Sequence, residues 1–82
     1  MNQNGAHPGL LLKKMLPKEM SQREAAKRLK VVPSHLHDLL SGRRAVSIAM
    51  AFRLADTFGK TADWWARKQL EHDLAEYRRA NP

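Results

Sequence analysis

The side chains with the most chemistry to offer are the four histidines. Two of them, His35 and His37, stand beside Ser34, Asp38 and Ser41 in one short stretch. Imidazole can ligate a metal, move a proton or exchange hydrogen bonds with another polar surface. On a helix, residues two apart lie about 200° apart around the axis, so His35 and His37 do not share a metal. The chain has no cysteine to join them, and no HExxH spacing occurs. It also has no glycine-rich phosphate loop, no Ser-His-Asp set in a recognisable context and no paired buried carboxylates. At 82 residues it lacks the depth for a large substrate pocket. We therefore expect no catalytic residue, no metal and no cofactor. What remains for the histidines is hydrogen bonding to a partner.

The elements that must position them read as five helices, with no strand. Period-two alternation is absent and β-branched residues are scarce. Met1 to Ala6 reads as a loose arm. The first helix begins near Pro8, presents Leu11, Leu12, Met15 and Leu16, and stops at Pro17. Ser21-Gln22-Arg23-Glu24 is a capping box for the second, with Met20 as a staple on Ala25. Ala25, Ala26 and Leu29 form its inner face, and the alanines allow a close helix crossing. After Lys30-Val31-Val32, Pro33 opens the third helix, whose Leu36, Leu39 and Leu40 point inward. Gly42 suits a left-handed cap. Ser47 caps a fourth helix with an inner stripe of Ala51, Leu54, Ala55 and Phe58, ended by Gly59. Thr61 caps a long fifth helix running towards Arg79, with Asp63 in its first turn.

Length and charge narrow the partner. One short domain is expected, comprising a core over residues 7–60 and a C-terminal helix over 61–82. Such a chain buries only about 60–65% of its unfolded surface, so pairing with a second copy would help it. No apolar run approaches the ~20 residues needed to span a bilayer, and no export signal is visible. A cysteine-free chain fits the reducing cytoplasm. The whole net charge of +7 lies between Lys13 and Arg53, because acids balance bases from Leu54 onward. A basic stripe on a small domain attracts polyanions through counterion release.

Two short helices joined by a tight turn, the second with a polar outer edge, form a unit that reads the DNA major groove. Here Ser34, His35 and His37 are the expected base readers. Gln22, Arg23, Ser41, Arg43 and Arg44 suit the phosphate backbone. Asp38 has three roles open to it: repelling phosphate, accepting from a cytosine amino group, or pairing with Arg43 or Arg44. Trp65 is expected in the core and Trp64 points elsewhere. Ala66, Leu70, Leu74 and Tyr77 share one stripe of the last helix, which with Phe52 reads as a dimer seam; the alternative is a helix lying along its own domain.

Ser21-Gln22-x-Glu24-Ala25-Ala26-x-x-Leu29-x-Val31 and Leu36-x-x-Leu39-Leu40-Ser41-Gly42-Arg43-Arg44 resemble the Cro/lambda-repressor-type (XRE) helix-turn-helix. His7-Pro8-Gly9, Met50-Ala51-x-Arg53-Leu54-Ala55 and Trp64-Trp65 with Gln69, Asp73 and Leu74 are similar to the HigA-type antitoxins. That resemblance, over residues 7 to 74, implies a five-helix lambda-repressor-like fold. It also implies the antitoxin of a type II toxin–antitoxin system, which neutralises a RelE-like RNase toxin. Such an antitoxin, as a homodimer, binds operator DNA and represses its own operon. A stand-alone repressor without a toxin is the alternative. Lys30 stands where the family often has a turn glycine, Val32 where it has a Ser or Thr cap, and Asp38 where it often has a base.

Overall fold

Helix starts follow the side chains that answer their first unpaired N–H groups. The Ser21 hydroxyl accepts from the Glu24 N–H at 3.0 Å, Ser47 from Met50 at 3.1 Å and Thr61 from Trp64 at 3.0 Å. Each cap contributes about 1 kcal/mol. The computed structural model describes residues 5–82 and holds α1 (Pro8–Met15), α2 (Gln22–Leu29), α3 (Pro33–Leu40), α4 (Ile48–Phe58) and α5 (Ala62–Ala80). No strand occurs among the described residues. The capping box at Ser21 closes on one side only. The Glu24 carboxylate pairs with Arg28 one turn on, at 3.0 Å, because a cation on its own face is the better partner. α1 starts on a cap that the sequence reading did not name: the His7 Nδ1 accepts from the Gly9 N–H at 2.9 Å. α3 has no side-chain cap, and Pro33 in its first turn removes one N–H that would need one.

The turn between α2 and α3 is built on Lys30 at φ 62°, ψ 41°, the left-handed region where a glycine is usual. The Lys30 and Val31 N–H groups donate to the Lys27 and Ala26 carbonyls at 3.1 and 3.0 Å. A side chain there costs about 1 kcal/mol that glycine would avoid. Gly42 ends α3 in the same way without that cost, at φ 79°. Its own N–H and that of Arg43 donate to Leu39 and Asp38 at 3.1 and 2.9 Å.

The core gathers Leu12, Ala25, Ala26, Leu29, Leu36, Leu39, Leu40, Val46, Met50, Ala51, Leu54 and Trp65. α3 packs on α1 and α2, while α4 bridges α2 and α5. α1 crosses α3 so closely that a Cβ on Gly9 would lie 1.7 Å from the Leu39 carbonyl oxygen. Trp65 is fully buried, and its indole N–H donates to the Gly59 carbonyl at 3.0 Å. The inner stripe of α4 lies nearer its start than expected: Met50, Ala51 and Leu54 are buried, while Ala55 and Phe58 are half-buried at the core's edge. Contact with both α2 and α5 widens the buried arc of that helix. Of the expected loose arm, Met1 to Asn4 lie outside the described residues. Gly5 and Ala6 are docked rather than loose, both half-buried, with the Gly5 carbonyl taking a hydrogen bond from His72 of α5 at 2.6 Å. Among the described residues, no helix is long and apolar enough to cross a membrane.

Candidate nucleic-acid interface

α3 has two unlike sides. Leu36, Leu39 and Leu40 are sealed against the neighbouring helices. On the other side, Ser34, His37 and Ser41 are exposed and His35 and Asp38 half-buried. Gln22 and Arg23 at the start of α2 are exposed, as are Arg43 and Arg44 after α3. A shallow hollow of about 60 Å³ brings Gln22, His37 and Ser41 together with Leu40 and Lys13. Lys13 reaches this edge from α1 because α1 crosses α3, and the sequence reading had not placed it there. Arg53 of α4 is a second unforeseen base on this surface, its guanidinium reaching the Lys30 carbonyl at 3.4 Å.

The charges have definite partners. Asp38 pairs with Arg43 at 3.3 Å, so pairing is the role of the three that the fold realises. Arg43 is exposed and Asp38 half-buried, still open to solvent, and such a pair is worth at most about 1 kcal/mol, so Arg43 can exchange it for a stronger anion. The Ser41 hydroxyl donates to the Asp38 carbonyl at 3.1 Å, so meeting a phosphate oxygen requires its O–H to rotate away from that bond. Burial lowers the His35 pKa from its ordinary 6.5, and the nearby Arg44 and Arg53 lower it further against the opposing pull of Asp38. His35 is therefore neutral near pH 7, one ring nitrogen donating and the other accepting.

A second surface is apolar. Phe52, Leu70, Leu74 and Tyr77 are 59%, 56%, 42% and 68% exposed, and Ala66 is half-buried beside them. Phe52, Ala66 and Leu70 line a hollow of about 420 Å³ between α4 and α5, together with Ile48. Ile48, also exposed, extends the expected seam to the first residue of α4. Trp64 stands edge-on to Trp65, ring centres 4.9 Å apart, with the Lys60 and Lys68 ammonium groups 5.2 and 5.4 Å from its ring centre. Its outer side is thus dressed by the chain's own lysines. Among the described residues, no three of His, Cys, Asp and Glu gather so as to hold a metal ion.

Residues 11–65, which contain α2, the Lys30 turn and α3, match the Helix-turn-helix family. The chain belongs to the helix-turn-helix family. Virulence-associated protein A′ of Dichelobacter nodosus is 35% identical over 75 residues, covering 89% of this chain and 65% of that one. The chain thus spans just under two thirds of that relative's length. Among solved structures, an addiction module antidote protein of the HigA family from Coxiella burnetii matches with a TM-score of 0.80 at 31% identity. That match covers 88% of this chain and 80% of the other. Pseudomonas aeruginosa antitoxin HigA, solved with the higBA promoter, matches with a TM-score of 0.85 at 33% identity over 94% of this chain and 86% of that one. The likeness to HigA-type antitoxins read from short motifs therefore extends to the whole arrangement of helices.

Two polar residues behind this helix-turn-helix escaped the sequence reading as site residues. His7 is 4% exposed and Gln69 8%, both nearly sealed, and neither has a buried side-chain nitrogen or oxygen without a hydrogen-bond partner. The Gln69 Oε1 accepts from the Val46 N–H at 2.7 Å, and its Nε2 donates to the Asp73 carboxylate at 2.9 Å. A polar residue one position before Leu70 on an otherwise amphipathic helix was the available signal. Its partner, 23 residues away, was not foreseeable from spacing.

Proposed function

We propose that this chain binds operator DNA as a homodimer, with α3 in the major groove, and represses its own operon. Ser34, His35 and His37 read base edges, while Gln22, Arg23, Ser41, Arg43 and Arg44 hold the backbone, now joined by Lys13. The observation that carries this reading is the polar edge of α3: it is uncovered, with two exposed arginines directly after it. The apolar surface formed by Phe52, Ala66, Leu70, Leu74 and Tyr77 suits a second copy, since one short helix contacts too few base pairs for useful specificity. The relative solved with promoter DNA supports the same use of the fold. We further propose that the chain is the antitoxin of a type II pair, neutralising a RelE-like RNase toxin in the cytoplasm.

Titration of the duplex upstream of the chain's own gene, followed by fluorescence anisotropy at several salt concentrations, tests the DNA reading. Arg44→Ala should weaken binding to every duplex and lower the salt slope by about 1, as one phosphate contact is lost. Binding by the parent with no salt dependence would remove the reading. A stand-alone repressor is favoured by one observation: an Escherichia coli relative, 31% identical over 74 residues, is named an HTH-type transcriptional regulator. Co-expression with the neighbouring gene separates the two, because only an antitoxin restores growth in the presence of that gene's product.

A further inference from the structure

The loop from Gly42 to Val46 carries both arginines, and it is anchored from behind by groups outside the helix-turn-helix. Gly42 lies against the His7 side chain, whose Cγ, Cβ and Cδ2 would be 3.7 to 4.0 Å from a Cβ built there. The Arg44 backbone also lies close enough to the His7 ring to favour its protonated form. At the far end of the loop, the Val46 N–H donates to the buried Gln69 of α5 at 2.7 Å, and the Val46 side chain is itself buried. Gln69 is braced in turn by Asp73, and His7 by the edge of the His72 ring, whose centre is 4.8 Å away. Thus the cap of α1 and the middle of α5 grip one five-residue loop at both ends, while Arg43 and Arg44 project from it into solvent. A buried amide bonded at both its oxygen and its nitrogen resists displacement, because any movement leaves buried polar atoms unpaired.

We propose that Gln69 and His7 are positioning residues for DNA binding: they set the loop so that the Arg43 and Arg44 guanidinium groups meet phosphates while α3 lies in the groove. This rests on the DNA reading above and extends it, making α5 part of the DNA-binding machinery as well as a dimer element. Leu70 and Leu74 follow Gln69 and Asp73 directly on α5, so pairing of two copies would bear on the helix that holds the loop. The two residues never touch the nucleic acid. Their effect passes through backbone position alone.

Three variants test this with the full chain and the same duplex titration. Gln69→Leu removes the acceptor for the Val46 N–H at similar volume. It should weaken binding to all duplexes by about tenfold and lower the salt slope by about 1 to 2, with single-base discrimination unchanged. Gln69→Glu combined with Asp73→Asn reverses the donor and acceptor between the two side chains and restores the bond to Val46; its affinity should return to within about threefold of the parent. His7→Asn keeps an acceptor for the Gly9 N–H, so α1 stays capped, yet it removes the ring from Gly42 and Arg44; it too should lower the slope. Circular dichroism and sedimentation confirm fold and oligomeric state, and should Gln69→Leu fail to fold, His7→Asn and the reversed pair decide. Parent-like affinity and slope in folded Gln69→Leu or His7→Asn would overturn the inference, as would a loss confined to base discrimination. Arg44→Ala, run alongside, separates the two levels. If it behaves as a lost phosphate contact while the positioning variants do not, only the inference falls. If the parent binds no duplex, both fall.

Discussion

α3 and α5 solve opposite problems. Every leucine of α3 is buried, and the side it shows to solvent is polar, with short side chains beside arginines. α5 buries Trp65 and Gln69 but leaves Leu70, Leu74 and Tyr77 largely exposed, and it is the longest helix at 19 residues. An exposed polar edge costs nothing in water, so only its shape and its basic surroundings mark it as a site. An exposed apolar stripe is unfavourable by about 25 cal/mol for each Å² left in water, so it marks itself. The contrast teaches that the two surfaces ask for different partners: a hydrogen-bonding polyanion for one and a second apolar face for the other.

The comparison breaks most completely if α3 loses its seat. Gly9→Ala places a methyl group against the Leu39 backbone and forces α1 off α3, so we expect a loss of about 3 kcal/mol or more. A denaturant midpoint equal to the parent's would mean the crossing is looser than described. Leu70→Glu next separates the two surfaces: the variant should sediment as a monomer and bind the operator more weakly, while keeping its helical signal. Dimers that persist would take α5 out of the seam. His35→Ala sharpens the other side. It should blur preference at one base-pair position by about 1–3 kcal/mol and leave the salt slope alone, unlike Arg44→Ala. A change of slope instead would reassign His35 to the backbone.

The smallest effect is a matter of pH. Burial, and then the adjacent His72, hold the His7 pKa below its ordinary 6.5, against the raising influence of Asp73 and of the nearby Arg44 backbone. The unfolded chain therefore takes up a proton more readily than the folded one. The stability from neutral His7 is complete above about pH 6.5 and declines as pH falls through the lowered folded value. Melting temperatures of the parent should drop more steeply below about pH 6.5 than those of His7→Asn. Parallel curves would show that His7 does not titrate in that window.

Much of this was legible in the chain itself. The starts at Ser21, Ser47 and Thr61, the stop at Pro17 and the left-handed strain at Lys30 all arise within one turn, where nearest neighbours decide the outcome. The half-formed capping box at Ser21 shows the limit of even local reasoning: Glu24 had two partners within reach, and Arg28 took it. Among the expected site residues, Gln22, His37 and Ser41 line one hollow, and Lys13 and Arg53 join this surface from helices whose orientation the spacing does not contain.

The sequence alone therefore determined which segments are helical, that Leu36, Leu39 and Leu40 turn inward, and that the positive charge collects around α2 and α3. These follow from periodicity and composition, which act along the chain. Only the tertiary structure decided that Gly9 lies against Leu39, that Gln69 holds Val46, and that the loop bearing Arg43 and Arg44 is gripped from behind. Those contacts depend on how helices cross, and a crossing is set by the packing of many side chains at once.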